Sequence, residues 1–112
     1  MRRTVVIFDG SQEHEIGTQY FFQHPVIDRL RPSQVVEMYQ STAVFANVME
    51  DIGDCIKTGS VTQVNETKTG PEYLDKVRDG LYILEGMLMD LFGDEAGRQI
   101  IESTNKSINE AG

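Results

Sequence analysis

Four carboxylates, Asp51 with Asp54 and Glu72 with Asp75, have the residue type and the i, i+3 spacing to do chemistry. Acidic pairs on adjacent helices can hold Mg²⁺, which takes hard oxygen ligands and polarises phosphate esters. In this chain the two pairs flank a polar connection instead of lying deep inside their helices. That placement favours a solvated acidic edge, with Glu72 and Asp75 also stabilised by the positive end of a helix dipole. His14 and His24 fall ten residues apart in different elements, which is not a zinc-ligand spacing. His14 lies between Glu13 and Glu15, yet on a strand those neighbours point to the opposite face, so both histidines read as structural or surface groups.

Other chemical signatures are incomplete. Val5-Val6-Ile7-Phe8-Asp9-Gly10 has a strand followed by an aspartate, but no second aspartate follows two residues later and no parallel β-α-β units follow. Asp9-Gly10 therefore reads as a hairpin turn. Gly-rich phosphate loops are missing, and no serine, histidine and acid set has a supporting motif. No catalytic residue, cofactor site or metal site is assigned from the sequence.

At 112 residues with a formal charge of −8, the chain has room for one small domain whose partners are not nucleic-acid backbones. Basic residues cluster only at Arg2-Arg3 and around Arg29 and Arg31, the latter diluted by Asp28. The single thiol, Cys55, cannot form an internal disulfide, which fits a reducing compartment and predicts a cytoplasmic protein. The apolar run after Arg3 is too short for a signal-peptide core or a membrane span.

The elements that must position these groups follow from periodicity. Residues 1–17 read as a β-hairpin: Thr4 to Phe8 is β-branched and aromatic, and Gln12 to Ile16 returns, with Val6, Phe8 and Ile16 expected on the buried face. Residues 18–32 read as an irregular segment in which Tyr20, Phe21 and Phe22 plug into the core, the alternative being an exposed aromatic anchor for a partner. A helix is predicted over 33–57, capped by Ser33. It carries Met38, Phe45 and Ile52 in one heptad series and Val35, Thr42, Met49 and Ile56 in another. Residues 58–70 are a polar, threonine-rich loop. A second helix is predicted over 71–92, with Leu74, Val77, Leu81, Leu84, Leu88 and Leu91 on one stripe. Gly93 stops it, and Asp94 caps a last helix over 94–108.

The expected fold is mainly α: a short N-terminal hairpin packed on two long helices and a short C-terminal helix. The leucine stripe is flanked by Tyr73, Tyr82, Ile83, Met87, Met89 and Phe92, more apolar surface than one neighbour covers, so self-association or protein partners are expected.

The hairpin around Phe8-Asp9-Gly10, the two helices and the passage Leu88-Met89-Asp90-Leu91-Phe92-Gly93-Asp94-Glu95-Ala96 resemble small tail assembly chaperones of long-tailed bacteriophages. The resemblance implies a non-enzymatic role in the host cytoplasm, binding tape-measure or tail-tube proteins and shielding apolar helical surface until the tube polymerises. It supplies no catalytic residues. Read from this sequence, the expected partner interface is Tyr73, Met87, Met89 and Phe92, with methionine suited to adaptable contacts. A second reading uses the acidic face Asp75, Asp79, Glu85 and Asp90 to occupy the basic site of another protein, as an inhibitor or nucleic-acid mimic. A third is the magnesium-dependent nucleotide pyrophosphohydrolase, an all-helical enzyme that the carboxylate pairs would serve.

Overall fold

The computed structural model describes residues 3–57 and 71–111, and the side chains of 3–51 and 71–110. Two strands, β1 (Thr4–Phe8) and β2 (Glu13–Gly17), pair antiparallel with Val5 opposite Ile16 and Ile7 opposite His14. A 3-10 helix (Thr18–Gln23) and the single turn α1 (Pro25–Asp28) lead into α2 (Pro32–Lys57). Helices α3 (Pro71–Phe92) and α4 (Asp94–Ala111) complete a mainly helical chain. The segment expected as a polar loop, 58–70, lies outside the described residues, as do the side chains of Ile52, Cys55 and Ile56.

The hairpin turn is shifted from its expected centre. Gly10 (φ +98°) and Ser11 are the central residues, with positive φ only at the first, the order of a type II′ turn. Asp9 instead flanks the turn. Its N–H donates to the Gln12 carbonyl, while its Oδ1 accepts from the N–H of Gln12 at 2.8 Å and of Ser11 at 2.7 Å.

Strand β1 is buried on both faces, which corrects the expected one-sided hairpin. Directly opposed residues share a face, so Ile16 lies with Val5 and Ile7, not with Val6 and Phe8. Val5, Ile7 and Ile16 join Phe21, Ile27, Val35, Met38, Tyr39, Leu84 and Leu88 in the core. Val6, pointing the other way, is equally buried. The outer edge of β1 would expose unpaired backbone groups. Thr42, fully buried on α2, closes part of that edge: its Oγ accepts from the Phe8 N–H and donates to the Phe8 carbonyl, both at 3.0 Å. A threonine in the apolar stripe of α2 therefore has a polar task. Beside it the Phe8 and Phe45 rings stack with centroids 4.9 Å apart.

Local signals set the helix ends, with some corrections. Arg31, not Ser33, precedes α2; Pro32 occupies its first position, and Gln34 Oε1 accepts from the Arg31 N–H at 2.8 Å, half of a capping box. Gly93 (φ +88°) ends α3, accepting the left-handed conformation that a side chain resists, and its carbonyl receives the Gly97 N–H at 2.8 Å. Asp94 is thus the first residue of α4, not its cap, and the helix continues past residue 108 to Ala111. In the stretch expected to be irregular, the 3-10 helix turns once every three residues, so only Phe21 reaches the core. Tyr20 and Phe22 are 54% and 63% exposed, so the three aromatics do not form one plug.

Candidate functional site

Helix α3 organises the molecule because each of its faces meets something different. Towards the hairpin it presents Gly80, where a Cβ would collide with the Val6 carbonyl, so backbone packs directly on backbone. Polar contacts reinforce the same seam: Tyr73 donates to Glu13 Oε2, Lys76 Nζ lies 3.1 Å from Glu15 Oε1, and Arg3 Nη2 lies 2.9 Å from Asp79 Oδ2. Towards α2, the Tyr39 hydroxyl donates to Glu85 Oε1 at 3.2 Å, and Arg78 lies 3.5 Å from Glu50. Burial, then the charge of Glu85 and its hydrogen bond, push the Tyr39 phenol well above its ordinary range. Tyr73 is raised likewise, by burial first and by the Glu13 carboxylate second.

This arrangement separates the expected interface residues. Tyr73 faces the hairpin, and Met87 packs against the core with Ile83. At about 100° per residue, Met89 and Phe92 lie well around the helix from both, so the four do not make one surface. The leucine stripe also ends early: Val77, Leu84 and Leu88 are fully buried, whereas Leu91 is 49% exposed. Beside it, Phe92 is 38% exposed, and the pair forms an apolar corner where α3 turns into α4 at Gly93.

The acidic face is likewise redistributed. Glu85 points to Tyr39 and leaves the group, and Asp79 is already paired with Arg3. Asp75 and Asp90 remain exposed. Between them stand Tyr82, 71% exposed, and Gly86, around which a Cβ would find open space. The aromatic at the centre of this strip was legible as surplus apolar surface, but its exposure was not.

A second cluster gathers at the hairpin turn, from residues the sequence had kept apart. His14 Nε2 lies 2.6 Å from Asp9 Oδ2, and the His24 ring meets the His14 ring edge-on with centroids 5.8 Å apart. The His24 Nδ1 accepts the Val26 N–H at 3.2 Å and so caps α1, which leaves the ring proton on Nε2. The His14 contact, chiefly, together with the Gln12 and Ser11 donors, holds the Asp9 carboxyl well below its ordinary range against partial burial. An open hollow of about 310 Å³ beside this cluster is lined by Asp9, Ser11, Val26, Leu30, Gln34, Glu37 and Met38. The order of groups does not suit nucleophilic catalysis. Ser11 Oγ donates to Asp9 Oδ1 at 2.7 Å, so the carboxylate stands between hydroxyl and imidazole, where a triad needs the imidazole between them. The signal that could have found this cluster is the Asp-Gly-Ser-Gln turn, in which an aspartate accepts backbone N–H groups two and three residues on.

Among the described residues no three His, Cys, Asp or Glu side chains are grouped to hold a metal ion. Of the two carboxylate pairs, Asp51, Glu72 and Asp75 are exposed, Asp75 lies 3.9 Å from Arg78, and the Asp54 side chain is outside the described residues. Among the described residues no helix is long and apolar enough to cross a membrane. No protein-family model, curated protein or solved structure matches the chain.

Proposed function

We propose that this chain is a non-enzymatic binding protein that acts as a tail assembly chaperone of the kind found in long-tailed bacteriophages, holding tape-measure or tail-tube subunits before polymerisation. The observation that supports the reading is the corner of Leu91 and Phe92, two large apolar side chains left open at the end of a helix whose Leu84 and Leu88 are enclosed. Such a corner gives an amphipathic partner helix an apolar anchor, while the acidic exterior of the chain keeps it from associating indiscriminately. The same corner serves to pair two copies of the chain, and partner binding in the host cytoplasm then competes with that pairing.

Affinity capture from phage-infected lysate, with the captured proteins identified by mass spectrometry, tests this. Tail proteins should be captured and should persist at high salt, and Leu91→Asp with Phe92→Asp should abolish capture while leaving the helical circular dichroism unchanged. Capture of no tail protein, or capture indifferent to these substitutions, overturns the reading.

A further inference from the structure

The hairpin has two outer edges, and the helices close only one of them. The bonds from the Asp9 N–H to the Gln12 carbonyl and from the Thr18 N–H to the Arg3 carbonyl set the alternation of the ladder. The backbone groups of Val6 and Phe8 on β1, and of Glu13, Glu15 and Gly17 on β2, therefore point away from the partner strand. Along β1 the Phe8 groups meet the Thr42 hydroxyl, and the Val6 carbonyl abuts α3 at Gly80. Along β2 the outward N–H and carbonyl of Glu15 and the outward N–H of Gly17 have no partner among the described residues. Glu15 is exposed and Gly17 half-buried. A proline or a bulge commonly blocks such an edge. Strand β2 contains no proline, and its register with β1 is regular over all five residues.

We propose that the outer edge of β2 takes up an extended segment of a protein partner as a third, antiparallel strand, with an apolar residue of that segment opposite Gly17 and a basic residue, two positions further on, opposite Glu15. Three backbone hydrogen bonds are on offer: two exchanged with Glu15 and one donated by Gly17. The side chains beside them say which strand fits. Directly opposed residues share a face, and the Tyr20 ring lies 3.6 Å from where a Gly17 Cβ would stand. That ring is 54% exposed, so an apolar side chain opposite Gly17 gains an aromatic neighbour. Lys76 and Thr4 both contact Glu15 through Oε1, which leaves Oε2 without a partner among the described residues and open to a cation across the strand. A second copy of the chain suits the edge poorly. Its β2 would bring two more glutamates to a strand that already carries Glu13 and Glu15, and like charges across a pair are destabilising. The edge is separate from the corner at Leu91 and Phe92, so the proposal survives the failure of the chaperone reading.

The probe is the end-capped peptide Ser-Thr-Val-Thr-Arg-Thr-Ser, titrated into the isotopically labelled full chain and followed by backbone amide shifts. Binding should saturate, with shifts concentrated between Glu13 and Phe22. N-methylation of the peptide at its arginine removes the N–H offered to the Glu15 carbonyl and should weaken binding about fivefold or more. Gly17→Pro should do the same from the protein side. Gly17 already has φ −66°, the value that proline fixes, so the substitution deletes the outward N–H without asking the backbone to move. Gly17→Ala keeps that N–H and should bind as the unsubstituted chain does. Tyr20→Ala, and glutamine in place of the peptide's arginine, should each weaken binding about two- to fivefold. Thermal melts establish that each variant is folded, and the N-methylated peptide decides the matter on the unsubstituted chain if Gly17→Pro is not. Equal affinity for the N-methylated peptide, unchanged binding by folded Gly17→Pro, or shifts centred elsewhere would each overturn the proposal. Shifts of the same amides with protein concentration alone would assign the edge to a second copy and overturn it too.

Discussion

Two glycines of α3, Gly80 and Gly86, stand on different sides of one helix and have opposite surroundings. Gly80 lies where the helix touches the Val6 carbonyl, so its missing side chain is what lets α3 settle on β1. Gly86 has open space around it and costs helix propensity without any packing return within the chain. The same residue type thus marks a closed contact on the inner face and an unfilled one on the outer face. A glycine in a helix states that something could come close; only the neighbouring elements say whether anything does.

The contrast can be broken first at its closed end. Gly80→Ala should destabilise the fold by about 3 kcal/mol, because the added methyl meets strand backbone that cannot yield like a flexible side chain, and a lowered urea midpoint would show it. Thr42→Val keeps the shape of the inner face but strips both hydrogen bonds from the edge of β1, leaving the half-buried Phe8 N–H and carbonyl without their side-chain partner. A loss of about 2 kcal/mol is expected, with Thr42→Ser restoring most of it. If Thr42→Val were neutral, the hydroxyl would not be closing that edge.

The hairpin turn sharpens the comparison through pH. The folded state holds the Asp9 carboxyl below its unfolded range, so the unfolded chain binds the proton more readily. The stabilisation is therefore complete above about pH 5 and is lost as pH falls through and below the ordinary carboxylate pKa of about 4. Asp9→Asn should lower stability at neutral pH and flatten this acid limb in equilibrium unfolding curves taken across the pH range. The smallest effect, and one of opposite sign, belongs to the open glycine: Gly86→Ala should raise stability by up to about 1 kcal/mol, seen as a higher melting temperature. Destabilisation there would mean that Gly86 is not in open space.

The elements of this fold were legible because each rests on local rules. Pro32, Pro71 and Gly93 mark helix ends by their backbone preferences, and the spacing of Val77, Leu84 and Leu88 defines a buried stripe whatever packs on it. The turn was located to within one residue, since an aspartate and a glycine side by side announce a turn without saying which of them takes positive φ. The candidate sites were far less legible. Tyr73, Asp79 and Glu85 looked available on the helix, and each is engaged by a group distant in sequence: Glu13, Arg3 and Tyr39.

Periodicity, capping residues and the absence of long apolar runs come from the chain alone, because they depend on residues within a turn or two of one another. Which face of α3 is closed, whether Thr42 is a stripe residue or a clasp on β1, and that Asp9, His14 and His24 meet at all were decided by the tertiary structure. Those outcomes depend on how the hairpin lies across α2 and α3, a long-range arrangement that no local spacing encodes.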